Sequence, residues 1–500
     1  MQPLLDAAKD FWDKNQFPIL SAFIASIVVY SSVVTQFIFS DHTLPNIGVY
    51  GYPSFKTLNE GRWFADILIR LGGGGGTQSF QAIVALFIQA VNGALFAVLL
   101  GVNGRFNRTI VTFLIILHPA VLDYYAFSVD DLTFTFGDTL SLLAIMLLDR
   151  KGGQWWTWPV AAFLFMLSIA SYQPKLAVFA VVAIGWLTAC IADPNSDSKV
   201  VLRKMISAAV AFGGGLLFYI LSLKLTLDPN VVLRNDGNSN MNTMGEAIQQ
   251  FVASYSYVIE TMRRQWNSIP FGMGAFAKYL SLLGLVVLIV RSVKKGPIAV
   301  GLLLLCLIAL PPAINLSAVA NKNSWQDTGR IAMGYTYCLA FLAAAPLALP
   351  WIGAVARILA ALVLWGFFVI ATQENQFMST KTVFETALMS RIVGRIETLA
   401  SGDELHPLVV VGDTYFGYGD DLLAMPRRPL RPQFQYQTYV SYRQPQLTNF
   451  FVGRDIVRAP TDEERAAAEK NAIGRPLWPA PGSVYLDGNT IVVVMKPPGT

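Results

Sequence analysis

The chain has 500 residues, of which 54% are hydrophobic and only 14% charged, with a mean hydropathy of +0.48. A water-soluble core of this length does not hide that much apolar surface, so the composition excludes a soluble globular protein and points to a mostly α, polytopic membrane protein. The net charge of +5 is spread mainly over loops between apolar runs and gives no ground for a nucleic-acid partner.

Runs of about 18 or more mostly apolar residues cross a hydrocarbon layer of about 30 Å, and about eleven such runs are present. They cover 17–39, 79–101, 107–125, 131–149, 155–172, 175–192, 205–227, 272–291, 297–315, 331–348 and 351–372. The first is too long for a signal-peptide core and lacks a small-x-small cleavage site, so it is expected to be a retained anchor. Lys and Arg are held back on the cytoplasmic side during insertion. An N-terminus inside leaves Arg105 and Arg108, Arg150 and Lys151, Lys199 with Arg203 and Lys204, and Arg291 with Lys294 and Lys295 in short cytoplasmic loops. The same alternation exports segments 40–78, 226–271 and 316–330 and all that follows about residue 373. Cys190, Cys306 and Cys338 fall inside predicted spans, so the exported parts have no disulfide framework.

The first exported segment, "FIFSDHTLPNIGVYGYPSFKTLNEGRWF", gathers Asp41, His42, Lys56, Glu60 and Arg62 among Tyr50, Tyr52, Phe55 and Trp63. Asp41 at the exit of an apolar helix reads as a helix cap, a solvated loop acid or a chemical group. Downstream, Phe64, Ile67, Leu68 and Leu71 follow the i, i+3, i+4, i+7 pattern, with Arg62, Asp66 and Arg70 on another face. That spacing predicts a short helix in the membrane interface, apolar side toward lipid. "GGGGGTQ", at 72–78, lacks the strand before and the Lys-Ser/Thr pair after that a phosphate loop needs, so it is expected to be a flexible hinge.

The third run emerges into "DYYAFSVDDLTFTFGD". Asp130 and Asp131 are consecutive, so one at most faces a cleft while the other caps the following helix. Asp138, about two turns into the fourth span, is either a functional group or the partner of a neighbouring helix. His118 before Pro119 marks a kink, and three histidines in the whole chain make a histidine metal site an unlooked-for feature. Cations return on the exported side at Lys175, Arg234, Arg263, Arg264, Lys322 and Arg330. Such exported cations either pair with local acids, Glu260 and Asp327 among them, or bind phosphate oxygens through paired hydrogen bonds.

After Thr372 the composition becomes ordinary. Phe384, Leu388, Ile392, Ile396 and Leu399 at helical spacing predict an amphipathic helix, "PLVVVGD" a buried strand, and "SVYLDGNTIVVVMK" a hairpin around Asp487, Gly488 and Asn489. The expected division is a membrane-embedded catalytic part, 1–372, including the loop 40–78, and a small exported α/β domain, 373–500. Within the latter, Arg427, Arg428 and Arg431 alternate with Phe434, Tyr436, Tyr439 and Tyr442, which reads as a packed loop or a surface for a phosphorylated glycan.

An exported acid, exported cations and aromatic rings at a membrane surface fit glycosyl transfer from a lipid phosphate. A carboxylate accepts the proton of an attacking sugar hydroxyl, and fixed cations stabilise the phosphate as it departs. The chain also resembles the bacterial O-antigen serotype-converting glucosyltransferases of the Gtr type II family, which are similar to the lipid-dependent GT-C transferases. The residues that carry the resemblance are "SDH" at 40–42, "EGRW" at 60–63, "SIASYQPKLAVF" at 168–179, "DTGRIAMGY" at 327–335, and "ALMSRIVGRIETL" with "LVVVGD" after the last span.

The resemblance implies a polyprenyl-phosphate-linked hexose, typically glucose, as donor and a lipid-linked oligosaccharide or polysaccharide as acceptor. Transfer would take place at the periplasmic face of a bacterial inner membrane, with inversion at the anomeric carbon and no cofactor or metal. It also implies that Asp41 is the catalytic base. The candidate set is then Asp41, Asp130 and Asp131 for catalysis, and Lys56, Arg62, Arg263, Arg264 and Arg330 for the donor phosphate. His42, Trp63, Tyr172, Gln173 and Lys175 complete it as contacts to the substrates. A lipid-linked oligosaccharide flippase and a non-catalytic assembly subunit are the competing classes; a flippase is expected to carry charge deep in several helices and a repeat between its halves.

Overall fold

A computed structural model of the chain describes residues 2–36, 55–125, 129–151, 154–226, 242–269, 272–320, 333–400, 404–412 and 444–495. Helix α1 (Gln2–Val29) is followed by the short α2 (Ser31–Thr35), and the next described elements are α3 (Phe55–Leu58) and α4 (Trp63–Leu71). A 3-10 turn, Gly74–Thr77, leads into α5 (Gln78–Leu99); then come α6 (Arg105–Ile116), α7 (Leu122–Tyr125), α8 (Asp131–Lys151), α9 (Thr157–Ser171) and α10 (Lys175–Ala192). The rest of the helical part is α11 (Ser198–Thr226), α12 (Met244–Ser268), α13 (Gly274–Lys295), α14 (Pro297–Ile314), α15 (Leu316–Ala320), α16 (Tyr335–Leu347) and α17 (Pro350–Glu397).

Helix boundaries follow local chemistry. The Asp197 carboxylate accepts from the Lys199 amide at 3.1 Å where α11 begins, and Thr243 with Glu246 forms a reciprocal capping box on α12. Pro119 cannot continue α6, so the expected span 107–125 is not one helix. The chain turns at His118, whose Nδ1 accepts from the Ala120 amide at 3.1 Å, and restarts as α7.

Among the described residues, seven helices, α5, α8, α10, α11, α13, α14 and α17, are long and apolar enough to cross a membrane by length and composition, and α9 and α16 are shorter apolar helices. The centre is formed by α5, α8 and α10, with 78% of the α10 span buried, and by α16, which is apolar and enclosed on almost every side. Helices α11, α13 and α14 stand outside; only 28% of the α11 span is buried, and Leu217, Ile220, Leu282, Val286, Leu304 and Ile308 are exposed. An apolar surface of that extent needs lipid to cover it, and the protein is a membrane protein.

Helix α17 is 48 residues long, about 72 Å at 1.5 Å per residue, more than twice the hydrocarbon thickness. The helix is therefore continuous across residue 372, where the sequence suggested separate pieces. Its last turns bury Leu388, Met389, Ile392, Val393 and Ile396 against a small α/β unit. That unit contains β1 (His406–Val411), α18 (Gln444–Val452), β2 (Val457–Arg458), α19 (Asp462–Asn471), β3 (Val484–Asp487) and β4 (Thr490–Val494). The strand order is β2-β1-β4-β3, with β1 parallel to both neighbours and β3 antiparallel to β4. The β3–β4 register runs from Val484 opposite Val493 to Asp487 opposite Thr490, so the hairpin turns at Gly488 and Asn489 as their sequence suggests. The basic-aromatic stretch 427–442 lies outside the described residues.

Candidate active site

Polar side chains collect at the end of the bundle where α5, α8, α10 and α16 begin. Lys56 on α3 is buried and forms an ion pair with Asp130, immediately before α8. Burial pulls the Lys56 ammonium below its ordinary pKa, and the carboxylate of Asp130 opposes that shift. The pair attaches the loop to the bundle, because separating it leaves a buried charge on each side.

Arg62 makes the second attachment. Its Nε donates to Gln173 Oε1 at 2.8 Å, its Nη1 pairs with Glu60 at 3.0 Å, and its guanidinium lies 4.8 Å from the centre of the Tyr172 ring. Gln173 in turn donates to the Glu60 carbonyl at 2.6 Å and to the Tyr219 hydroxyl at 3.1 Å. Gly61, at φ +67, permits the turn that brings Glu60 and Arg62 to the same place; a Cβ there would sit 2.6 Å from Leu223 Cδ2. Trp63 extends the contact to α11, donating from Nε1 to Ser222 Oγ at 3.0 Å.

Helix α4 does not lie free in the interface. It packs on α8 and α9 through Ala65, Leu68 and Ile69, while Ile67 and Leu71 face outward at 44% and 78% exposure. The glycine stretch is likewise fastened: Gln81 Nε2 donates to the carbonyls of Gly72 at 3.0 Å and Gly74 at 2.5 Å.

Deeper in the bundle, Lys175 at the start of α10 reaches Asp138 on α8 at 2.6 Å and the Tyr124 hydroxyl at 2.5 Å. Tyr124 and Tyr337 both donate to Asp138, at 3.1 and 3.2 Å. Lys175 is 1% exposed and Asp138 0%, and the group joins α7, α8, α10 and α16. Space for the lysine comes from Gly137: a Cβ added there would lie 2.6 Å from Ser171 Oγ and 3.1 Å from Lys175 Cγ. Gly137→Ala is expected to destabilise the protein by about 1–3 kcal/mol, read as a lower thermal midpoint in detergent, because the overpacking displaces the lysine that neutralises Asp138.

Asp131 differs from these paired groups. It opens α8, is 0% exposed, and neither carboxylate oxygen has a hydrogen-bond partner among the described residues. The hydroxyl of Tyr125, also buried and without a hydrogen-bond partner among the described residues, is close enough to feel the Asp131 charge. A buried carboxylate without partners is costly, and its two oxygens can accept hydrogen bonds from hydroxyl groups or take up a proton.

Of the candidates named from sequence, Lys56, Arg62, Trp63, Asp130, Asp131, Tyr172, Gln173 and Lys175 come together around this end. Arg263, on α12, is exposed and bonds Glu260 on its own helix at 2.9 and 3.1 Å. Asp41, His42 and Arg330 lie outside the described residues, as does the side chain of Arg264. Tyr124, Tyr337, Tyr219 and Ser222 escaped the sequence reading. Tyr337 is 199 residues from Asp138 and carries no local motif, whereas "EGRW" at 60–63 is one of the motifs that carry the family resemblance.

No curated protein and no solved structure matches the chain. The family model described as glucosyl transferase GtrII matches residues 31–347, which contain every attachment described above from Lys56 to Tyr337. That match extends over well more than half of the 500 residues, and the chain belongs to the GtrII glucosyl transferase family.

Proposed function

We propose that this glycosyltransferase moves a hexose, glucose by the family's description, from a polyprenyl-phosphate donor to a lipid-linked or surface polysaccharide acceptor at the periplasmic face. The observation that carries this reading is the Asp131 carboxylate, buried without a partner among the described residues and one residue from the Lys56–Asp130 pair. An acceptor hydroxyl attacks the anomeric carbon while the bond from that carbon to the phosphate oxygen breaks, so configuration inverts in one displacement. The hydroxyl proton passes to a carboxylate and the polyprenyl phosphate leaves as an anion.

Asp41 is the base that the family resemblance implies, and Asp131 receives hydroxyl groups of the sugars. Arg62 is fixed by Glu60 and Gln173, which supports a preorganised positive charge near the departing phosphate. The part up to residue 372 carries the chemistry, and 373–500 stands as the periplasmic domain.

Purified protein supplied with synthetic polyprenyl-phosphate-glucose and acceptor glycan is expected to release polyprenyl phosphate. Asp41→Asn is expected to slow that release by about 10²–10⁴-fold with the thermal midpoint unchanged. Full turnover by the Asn variant removes Asp41 as base, and no release by the unaltered protein removes the donor class.

A further inference from the structure

A cavity of about 480 Å³ lies at the opposite end of the bundle, where α5, α8, α10, α13 and α16 finish and α11 begins. Its volume falls in the range of about 300–1,000 Å³ usual for small-molecule sites. Its lining on α10 starts at Gly185, 10 residues beyond Lys175 and about 15 Å along the axis. It is therefore distinct from the polar end described above.

The lining is polar, and its acceptors are largely taken. Asp149 Oδ1 accepts from Lys204 Nζ at 2.6 Å and from Trp186 Nε1 at 2.9 Å. Lys295 Nζ donates to the carbonyls of Ile191 at 3.0 Å and Asp193 at 2.6 Å, occupying the free C-terminal end of α10. Arg291 lines the same cavity, half-buried, and its guanidinium has no partner among the described residues. The surplus group is thus a fork-shaped cation, the geometry that suits phosphate.

Its surroundings indicate where that phosphate comes from. Ile289, Val290 and Val293 beside Arg291 are exposed on α13, as are Val200 and Leu202 on the first turns of α11. Lys199, Arg203 and Lys294 add positive charge at the same helix ends and outnumber Asp193 and Asp197. A basic cavity between apolar outer helices is how membrane proteins hold anionic lipid headgroups. We infer that this cavity binds the phosphate headgroup of an anionic phospholipid, with Arg291 as the principal contact.

Native mass spectrometry of the full-length protein tests this, after exchange into phosphatidylglycerol, into phosphatidylethanolamine, or with inorganic phosphate added to the phosphatidylglycerol complex. Phosphatidylglycerol is expected to remain bound in preference to phosphatidylethanolamine, Arg291→Gln to lower its retention about tenfold, and Arg291→Lys to restore part of it. Equal retention of the two lipids by the unaltered protein overturns the inference, and that comparison does not depend on any variant folding. Undiminished retention by Arg291→Gln overturns the role of Arg291. Displacement of phosphatidylglycerol by millimolar inorganic phosphate overturns the lipid assignment in favour of a soluble anion.

Discussion

Lys175→Met is expected to lower stability by about 3–5 kcal/mol, read as a fall in the thermal midpoint of the purified protein and loss of folded material on membrane extraction. The reason is the carboxylate left behind. Asp138 sits inside the bundle at 0% exposure, its charge balanced by the ammonium at 2.6 Å, with Tyr124 and Tyr337 donating to its oxygens. Removing the cation strands a negative charge among α7, α8, α10 and α16, and two tyrosine hydroxyls do not neutralise it. Asp138→Asn combined with Lys175→Met is expected to recover most of the loss, since replacing a whole buried pair costs far less than breaking it. If Lys175→Met melts like the unaltered protein but has lost transfer, the lysine acts on substrate instead of holding the bundle together.

Asp131→Asn is expected to move stability and turnover in opposite directions. A buried carboxylate with no partner among the described residues is a liability to the fold, so its neutral isostere is expected to raise stability by about 1–3 kcal/mol. The same change is expected to reduce transfer by about 10²-fold or more, because an amide accepts hydroxyl groups less strongly and takes up no proton. A site that keeps a destabilising group for its chemistry shows this opposition. Thermal midpoints and polyprenyl phosphate release measured on the same preparation decide it. A variant that is both more stable and fully active removes Asp131 from the chemistry.

Much of the architecture is legible from local pattern. Apolar runs longer than the hydrocarbon layer fix where the long helices stand, and Gly488 with Asn489 marks the β3–β4 turn, whereas at Pro119 the expected kink is a full break after α6. Each of these depends on a few adjacent residues, and the backbone responds to them directly. The length of α17 was less legible, because the shift from lipid-soluble to ordinary composition after Thr372 changes what surrounds the helix and not whether its hydrogen bonds continue.

The sequence by itself determined that this is a membrane protein of apolar helices with a small α/β unit at its C-terminal end, because hydropathy and periodicity act over short stretches. It also brought forward most of the residues gathered at one end of the bundle. Only the tertiary structure decided what each charge faces: Lys56 meets Asp130, Arg62 meets Glu60 and Gln173, Lys175 meets Asp138, and Asp131 meets no described partner. Those pairings join residues from 2 to 111 positions apart through helix packing, and electrostatic energy depends on the distances and burial that packing sets, which a linear spacing does not contain.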